Sequence, residues 1–141
     1  MEVSLNKRDE QIDQLEAIIV NEMPSVNITL RHFFTDGLYA REMSAPEGAM
    51  ITSKIHKTEH IFILSQGCLS VWDDNGKEVI IEAPYIGITK AGTRRVALVH
   101  EDIVWTTFHA NPDNENEYQI EERIIQKHDN PLLEKSKTLI Q

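Results

Sequence analysis

Gly48–Gly67, GAMITSKIHKTEHIFILSQG, places two histidines, His56 and His60, four residues apart between two β-type runs. A glycine turn opens the stretch and another closes it. The run before the histidines, Ala49 to Ile55, alternates apolar and polar residues; the run after, Ile61 to Leu64, is continuously apolar. Two such runs with little between them read as neighbouring antiparallel strands, with the histidines where the chain passes from one to the next. A spacing of four also shares a helix face. The β-branched and aromatic neighbours Ile51, Thr52, Ile55, Ile61, Phe62 and Ile63 argue for strand instead. The picture is two imidazoles at the mouth or wall of a β structure.

Outward from this stretch, turn signals recur every few residues. Val26 to Phe34 reads as a strand, Thr35-Asp36-Gly37 as a turn, and Leu38 to Met43 as its return. Ala45-Pro46-Glu47-Gly48 is the next turn. Gly67 is expected to turn the chain into Cys68 to Trp72, and Asp73-Asp74-Asn75-Gly76 is a hairpin signal into Lys77 to Glu82. Pro84 and Gly87 interrupt, with a short strand at Ile86 to Thr89. Lys90-Ala91-Gly92 leads into Arg94 to Val99, and His100-Glu101-Asp102 reads as a turn into Ile103 to Ala110. Many short strands without long helices between them indicate an all-β sandwich or barrel with antiparallel pairing.

Helical patterns flank this region. Leu5, Ile12, Leu15, Ile18 and Ile19 form one apolar stripe over residues 4 to 22, with Ser4 as a candidate cap and Pro24 as the stop. That helix is expected to pack on its own domain, the alternative being a partner subunit. Glu115 to Lys127 is helical again, with Tyr118, Ile124 and Ile125 as its apolar face, and the last ten residues read as a short helix or a loose tail. The expected division is a helical extension over 1–25, a β-barrel over 26–111, and a helix with tail over 112–141.

A chain of 141 residues is one domain by length, and a net charge of −9 opposes both a nucleic-acid surface and an anionic membrane. The single cysteine, Cys68, leaves no internal disulfide and reads as a small core residue. Glu2, Lys7, Arg8, Asp9 and Glu10 interrupt any apolar leader, and nothing approaches a membrane span, so the expectation is cytoplasmic.

Glycine, strand, histidine, strand, glycine, followed by Lys90-Ala91-Gly92-Thr93-Arg94-Arg95, resembles the cupins. Anchored on Gly67, the motif's carboxylate position falls on His60 and its two histidine positions on Lys54 and His56; the later metal-binding histidine falls on Arg95. RHFFTDGLYAREM, KIHKTEHIFILSQG, APYIGITKAGTRR and HEDIVWTTFHA are also similar to small cupin proteins of tailed bacteriophages. The resemblance implies a cupin-type jelly-roll β-barrel with an added helix at each end, and pairing into a homodimer or larger homo-oligomer. In a phage it implies a place in the host cytoplasm or the virion.

Metal-dependent cupins hold a divalent ion such as Zn, Fe, Mn or Ni. Here His56 and His60 begin such a set; His109 is the best third ligand, with Glu59, His100 and His32 behind it. Lys54 and Arg95 cannot serve, because both are cationic. Arg95 in the barrel phase, Lys54 nearby and Arg94 beside it suggest a positive pocket for a small anion, with Trp105 or Phe108 as a stacking face. The plain alternatives are histidines bonded to Thr, Glu or backbone, and arginines in salt bridges. Three functions are therefore expected to compete. They are a non-catalytic holder of a small anion or metal, an interaction scaffold with a protein partner, and a metal-dependent oxygenase or isomerase.

Overall fold

The computed structural model of the chain describes residues 7–133. Its elements run α1 (Lys7–Glu22), β1 (Thr29–Thr35), β2 (Gly37–Ala45), β3 (Met50–Thr52), β4 (His60–Trp72), β5 (Glu78–Glu82), β6 (Tyr85–Thr89), β7 (Val96–Asn111) and α2 (Glu117–Ile124). The turn-spaced alternation thus gives the expected all-β centre with one helix on each flank.

Two long strands form the spine. β4 and β7 pair antiparallel from Ile61↔Phe108 to Val71↔Ala97. In one half β7 also pairs β2 and β4 also pairs β6; in the other β7 pairs β3 and β4 pairs β5. The spine register slips between Leu64 and Leu69. Gly67 sits there at φ 87°, and a Cβ on it would run into the Asp102 backbone carbonyl. Only glycine allows this close approach, and the bulge bends both strands together. The core confirms that the two halves face each other. It unites Met43, Phe62, Leu64 and Trp105 from one half with Ile51, Leu69, Val71 and Val99 from the other.

Four expectations are corrected here. Gly67 and His100-Glu101-Asp102 are not turns between strands, because Cys68 pairs Glu101 inside two continuous strands. A bulge and a turn draw on the same residue types. The runs flanking the histidines do not pair with each other; both pair with β7. The sheet does not close into a barrel: along the path β1-β2-β7-β4-β5 it ends at β1 and β5.

The fourth concerns α1, whose buried residues are Asp9, Ile12, Asp13 and Glu16, while Ile18 is exposed. Ser4 and Leu5 lie outside the described residues. The reason is Arg94, which is buried. Its guanidinium lies 2.7 Å from Asp13, 3.6 Å from Glu16 and 3.9 Å from Asp9. Asn130 donates to Glu16 at 3.0 Å and His128 lies 2.9 Å from Asp13, so residues 128–130 are tied to the same helix.

α2 begins with a capping box in which Asn116 and Gln119 bond each other's backbone. Ile120 and Ile124 are buried with Ile125 and Tyr39, whereas Tyr118, expected on the apolar face, is 72% exposed. The expected terminal helix or tail falls largely in 134–141, outside the described residues. No helix among the described residues is long and apolar enough to cross a membrane.

Candidate functional site

Strand alternation decides which side chains face inward. On β2 these are Tyr39, Arg41 and Met43, and on β7 Trp105, Thr107 and His109; the register sets Tyr39 against His109, Arg41 against Thr107 and Met43 against Trp105. β4 adds His60 and Phe62, and β6 adds Thr89 opposite His60. His56 enters from the segment after β3. Its N–H donates to the Thr93 carbonyl, and its own carbonyl accepts from Gly92. All of these except Tyr39 and Phe62, together with Arg95, line a cavity of about 50 Å³.

The three histidines expected as metal ligands do come together. Ring centroids of His56 and His60 lie 4.9 Å apart, and those of His60 and His109 lie 4.5 Å apart. Burial, then the charge of neighbouring groups including Arg41, pushes His56 and His109 down to about 3. His60 is lowered too, mainly by burial. All three rings are therefore neutral at pH 7. His109 Nε2 is 2.9 Å from the Thr107 hydroxyl, and His60 Nδ1 is 3.2 Å from the Thr58 carbonyl. Among the described residues, the Nδ1 atoms of His56 and His109 are buried without a hydrogen-bond partner. Such orphans cost about 1–3 kcal/mol each.

Neutral imidazoles are chemically suited to a borderline metal. The arrangement is not. Among the described residues no group of three His, Cys, Asp or Glu side chains is placed to hold an ion. No carboxylate lines the cavity, and two guanidiniums do. The other expected ligands stand elsewhere. Glu59 is exposed, and His100 bonds Ser70 at 2.6 Å on another part of the sheet. His32 lies between Glu117 at 2.9 Å and the Tyr39 hydroxyl at 2.7 Å.

The expected anion-binding residues divide. Arg95 does point inward: its guanidinium lies 4.9 Å from the centre of the Phe62 ring and 5.3 Å from that of Trp105, and it donates to the Thr89 hydroxyl at 2.8 Å. Trp105 stacks on Phe62 at 4.0 Å and lines the cavity, as a stacking face would. Phe108 does not, since it has the opposite strand phase. Lys54 does not reach the cavity, because its ammonium pairs with Glu121 of α2 at 2.9 Å. Arg94 does not either; it lies in the irregular segment before β7 and its guanidinium is held by the acids of α1.

Arg41 takes their place. It is only 7% exposed and lines the cavity, yet among the described residues its side chain has no hydrogen bond or ion pair. Burial lowers its pKa, while Tyr39 and Glu121 act on it through space. Tyr39 itself is pushed up to about 12 by burial and so stays an uncharged phenol. Sequence reasoning overlooked Arg41. The one available signal was its phase, between Tyr39 and Met43 on an alternating strand.

No protein-family model and no curated protein matches the sequence. Solved structures do match, and they define the class as a cupin-type jelly roll. The Clostridium difficile EutQ protein superposes with a TM-score of 0.52 at 17% identity, over 64% of this chain and 72% of that one. The cupin domain of an XRE family transcriptional regulator from Enterobacter cloacae gives 0.50 at 12%, over 60% of this chain and 97% of that one. A mutant of salicylate 1,2-dioxygenase from Pseudoaminobacter salicylatoxidans, in complex with gentisate, gives 0.54 at 11%, over 84% of this chain and 34% of that one. At these identities the likeness is one of fold. The phage likeness rests on the sequence phrases alone.

Proposed function

We propose that this protein is a non-catalytic holder of a small monocarboxylate, bound in the cavity between Arg41 and Arg95. The observation that carries this is Arg41, a residue only 7% exposed that lines the cavity, with no side-chain hydrogen bond or ion pair among the described residues and with Glu121 acting on it only through space. A buried charge needs a counter-charge, and the cavity wall contains none. The planar fork of an arginine matches a carboxylate in two parallel bonds. Met43, Ile51, Leu69 and Trp105 line the same space and suit a short aliphatic group. The space sets the size. At roughly 10–15 Å³ for each water by this kind of measure, about 50 Å³ holds three to five heavy atoms, the size of acetate or propionate.

A metal-dependent enzyme would need a ligand set that these side chains do not form, so no step is assigned to one. Thermal unfolding of metal-free protein, with and without sodium acetate, propionate or benzoate at constant ionic strength, tests the reading. Acetate and propionate should raise the melting temperature saturably, and benzoate should not. Equal effects of all three, or none from any, would defeat it.

A further inference from the structure

His60 brings a fixed hydrogen-bond acceptor to the cavity. Its Nδ1 lies 3.2 Å from the Thr58 carbonyl. A carbonyl only accepts, so Nδ1 holds the proton of the neutral ring and Nε2 is a bare lone pair. Among the described residues that Nε2 has no hydrogen-bond partner, and unlike the Nδ1 atoms of His56 and His109 it is not shut in. His60 points inward and is 7% exposed, so the space its Nε2 meets is the cavity it lines. The hydroxyls on the same wall are engaged elsewhere. Thr89 accepts from Arg95, Thr107 bonds His109, and Ser53 donates to the Lys54 carbonyl.

We infer that the bound carboxylate also carries a hydroxyl: the ligand is a short hydroxycarboxylate of the size of glycolate, its carboxylate between Arg41 and Arg95 and its hydroxyl donating to His60 Nε2. This rests on the carboxylate reading above and names the class of ligand. A carboxylate only accepts, so a plain one satisfies the arginines and leaves the His60 lone pair unmet. A hydroxyl supplies the missing donor. An ammonium also donates, but it would set a third positive charge beside two guanidiniums. The placement fits. Thr89 stands opposite His60 across the strands and takes the Arg95 N–H, so the acceptor and one guanidinium share a corner of the cavity. The size fits as well. Glycolate is propionate with its methyl group replaced by a hydroxyl, so a space of about 50 Å³ admits either.

Isothermal titration at pH 7 and constant ionic strength, with glycolate and propionate as the two probes, tests this on the wild type and on His60→Phe. Glycolate should bind the wild type roughly three- to tenfold more tightly than propionate, the worth of one buried hydrogen bond. In His60→Phe that ratio should fall to about one or below, because phenylalanine keeps a ring there and offers no lone pair. Equal affinities in the wild type, or a His60→Phe variant that still prefers glycolate, would overturn the inference and leave the carboxylate reading standing. Binding of neither anion to the wild type would remove that reading, and this inference with it. Should His60→Phe fail to fold, the ¹⁵N resonance of His60 Nε2 in the wild type decides: it should move upfield with glycolate and hold still with propionate, and equal shifts would overturn the inference.

Discussion

Replacing Arg41 by methionine should make the ligand-free protein more stable and abolish its response to carboxylates. Arg41 as a residue is 7% exposed, and among the described residues its side chain has no hydrogen bond or ion pair. It therefore carries a desolvation cost with little return. Methionine has similar length, fills the stem's volume and leaves no buried donor. Exchanging buried ionic groups for apolar ones of similar size is often worth about 1–4 kcal/mol. Because no Arg41 nitrogen is among the buried unpartnered atoms of the described residues, the lower half of that range applies, about 1–2 kcal/mol. With an unfolding entropy of about 2.1 cal/mol/K per residue, a chain of 141 residues has about 0.3 kcal/mol/K, so Tm should rise by roughly 3–7 °C. Urea unfolding followed by tryptophan fluorescence, with and without acetate, measures both effects. If Arg41→Met lost about 1 kcal/mol or more and still responded to acetate, Arg41 would be a structural residue and the reasoning would fail.

Acid should destabilise the fold through the histidines. His56 and His109 titrate near 3 when folded against an ordinary 6.5, so below 6.5 the unfolded chain binds protons that the folded one refuses. Stability is whole above 6.5 and falls as pH drops towards 3, by up to about 1.4 kcal/mol per pH unit for each ring. His109→Asn should remove about half of that slope in a pH series of urea melts; an unchanged slope would refute its part. Gly67→Ala forces a Cβ at φ 87° into the Asp102 carbonyl and should cost at least about 1–3 kcal/mol in a thermal melt. Arg94→Ala strands the buried acids of α1 and should cost about 3–5 kcal/mol, with α1 amides losing protection in hydrogen exchange. A cost under about 1 kcal/mol would show the ion cluster to be dispensable.

Much of the fold was legible because turn chemistry is local. Asp73-Asp74-Asn75-Gly76 does form the hairpin from Trp72 to Glu78. What failed was non-local. Gly67 and Glu101 look like turn residues one at a time, and only the pairing of β4 with β7 around them, Gln66 with Val104 and Cys68 with Glu101, makes this a bulge. The stripe on α1 followed apolar periodicity, while the helix docks through Asp13 and Glu16 because a buried arginine awaits them. At the site, the histidines were found by type and spacing, and His109 by its place on the strand read over Ile103 to Ala110. Lys54 and Arg94 misled because a charged residue's partner lies far away in sequence: Glu121 for one, Asp13 for the other. Arg41 went unnoticed because only its phase between Tyr39 and Met43 on an alternating strand marks it as inward-facing.

The most direct test follows the side-chain Nε–H resonances of Arg41 and Arg95 by NMR while acetate is added at constant ionic strength. Both should shift together, saturably, with one dissociation constant, and the Arg95 response should vanish in Arg41→Met. Resonances of Arg41 and Arg95 that stay still while surface lysines drift linearly would contradict a carboxylate bound between these two arginines.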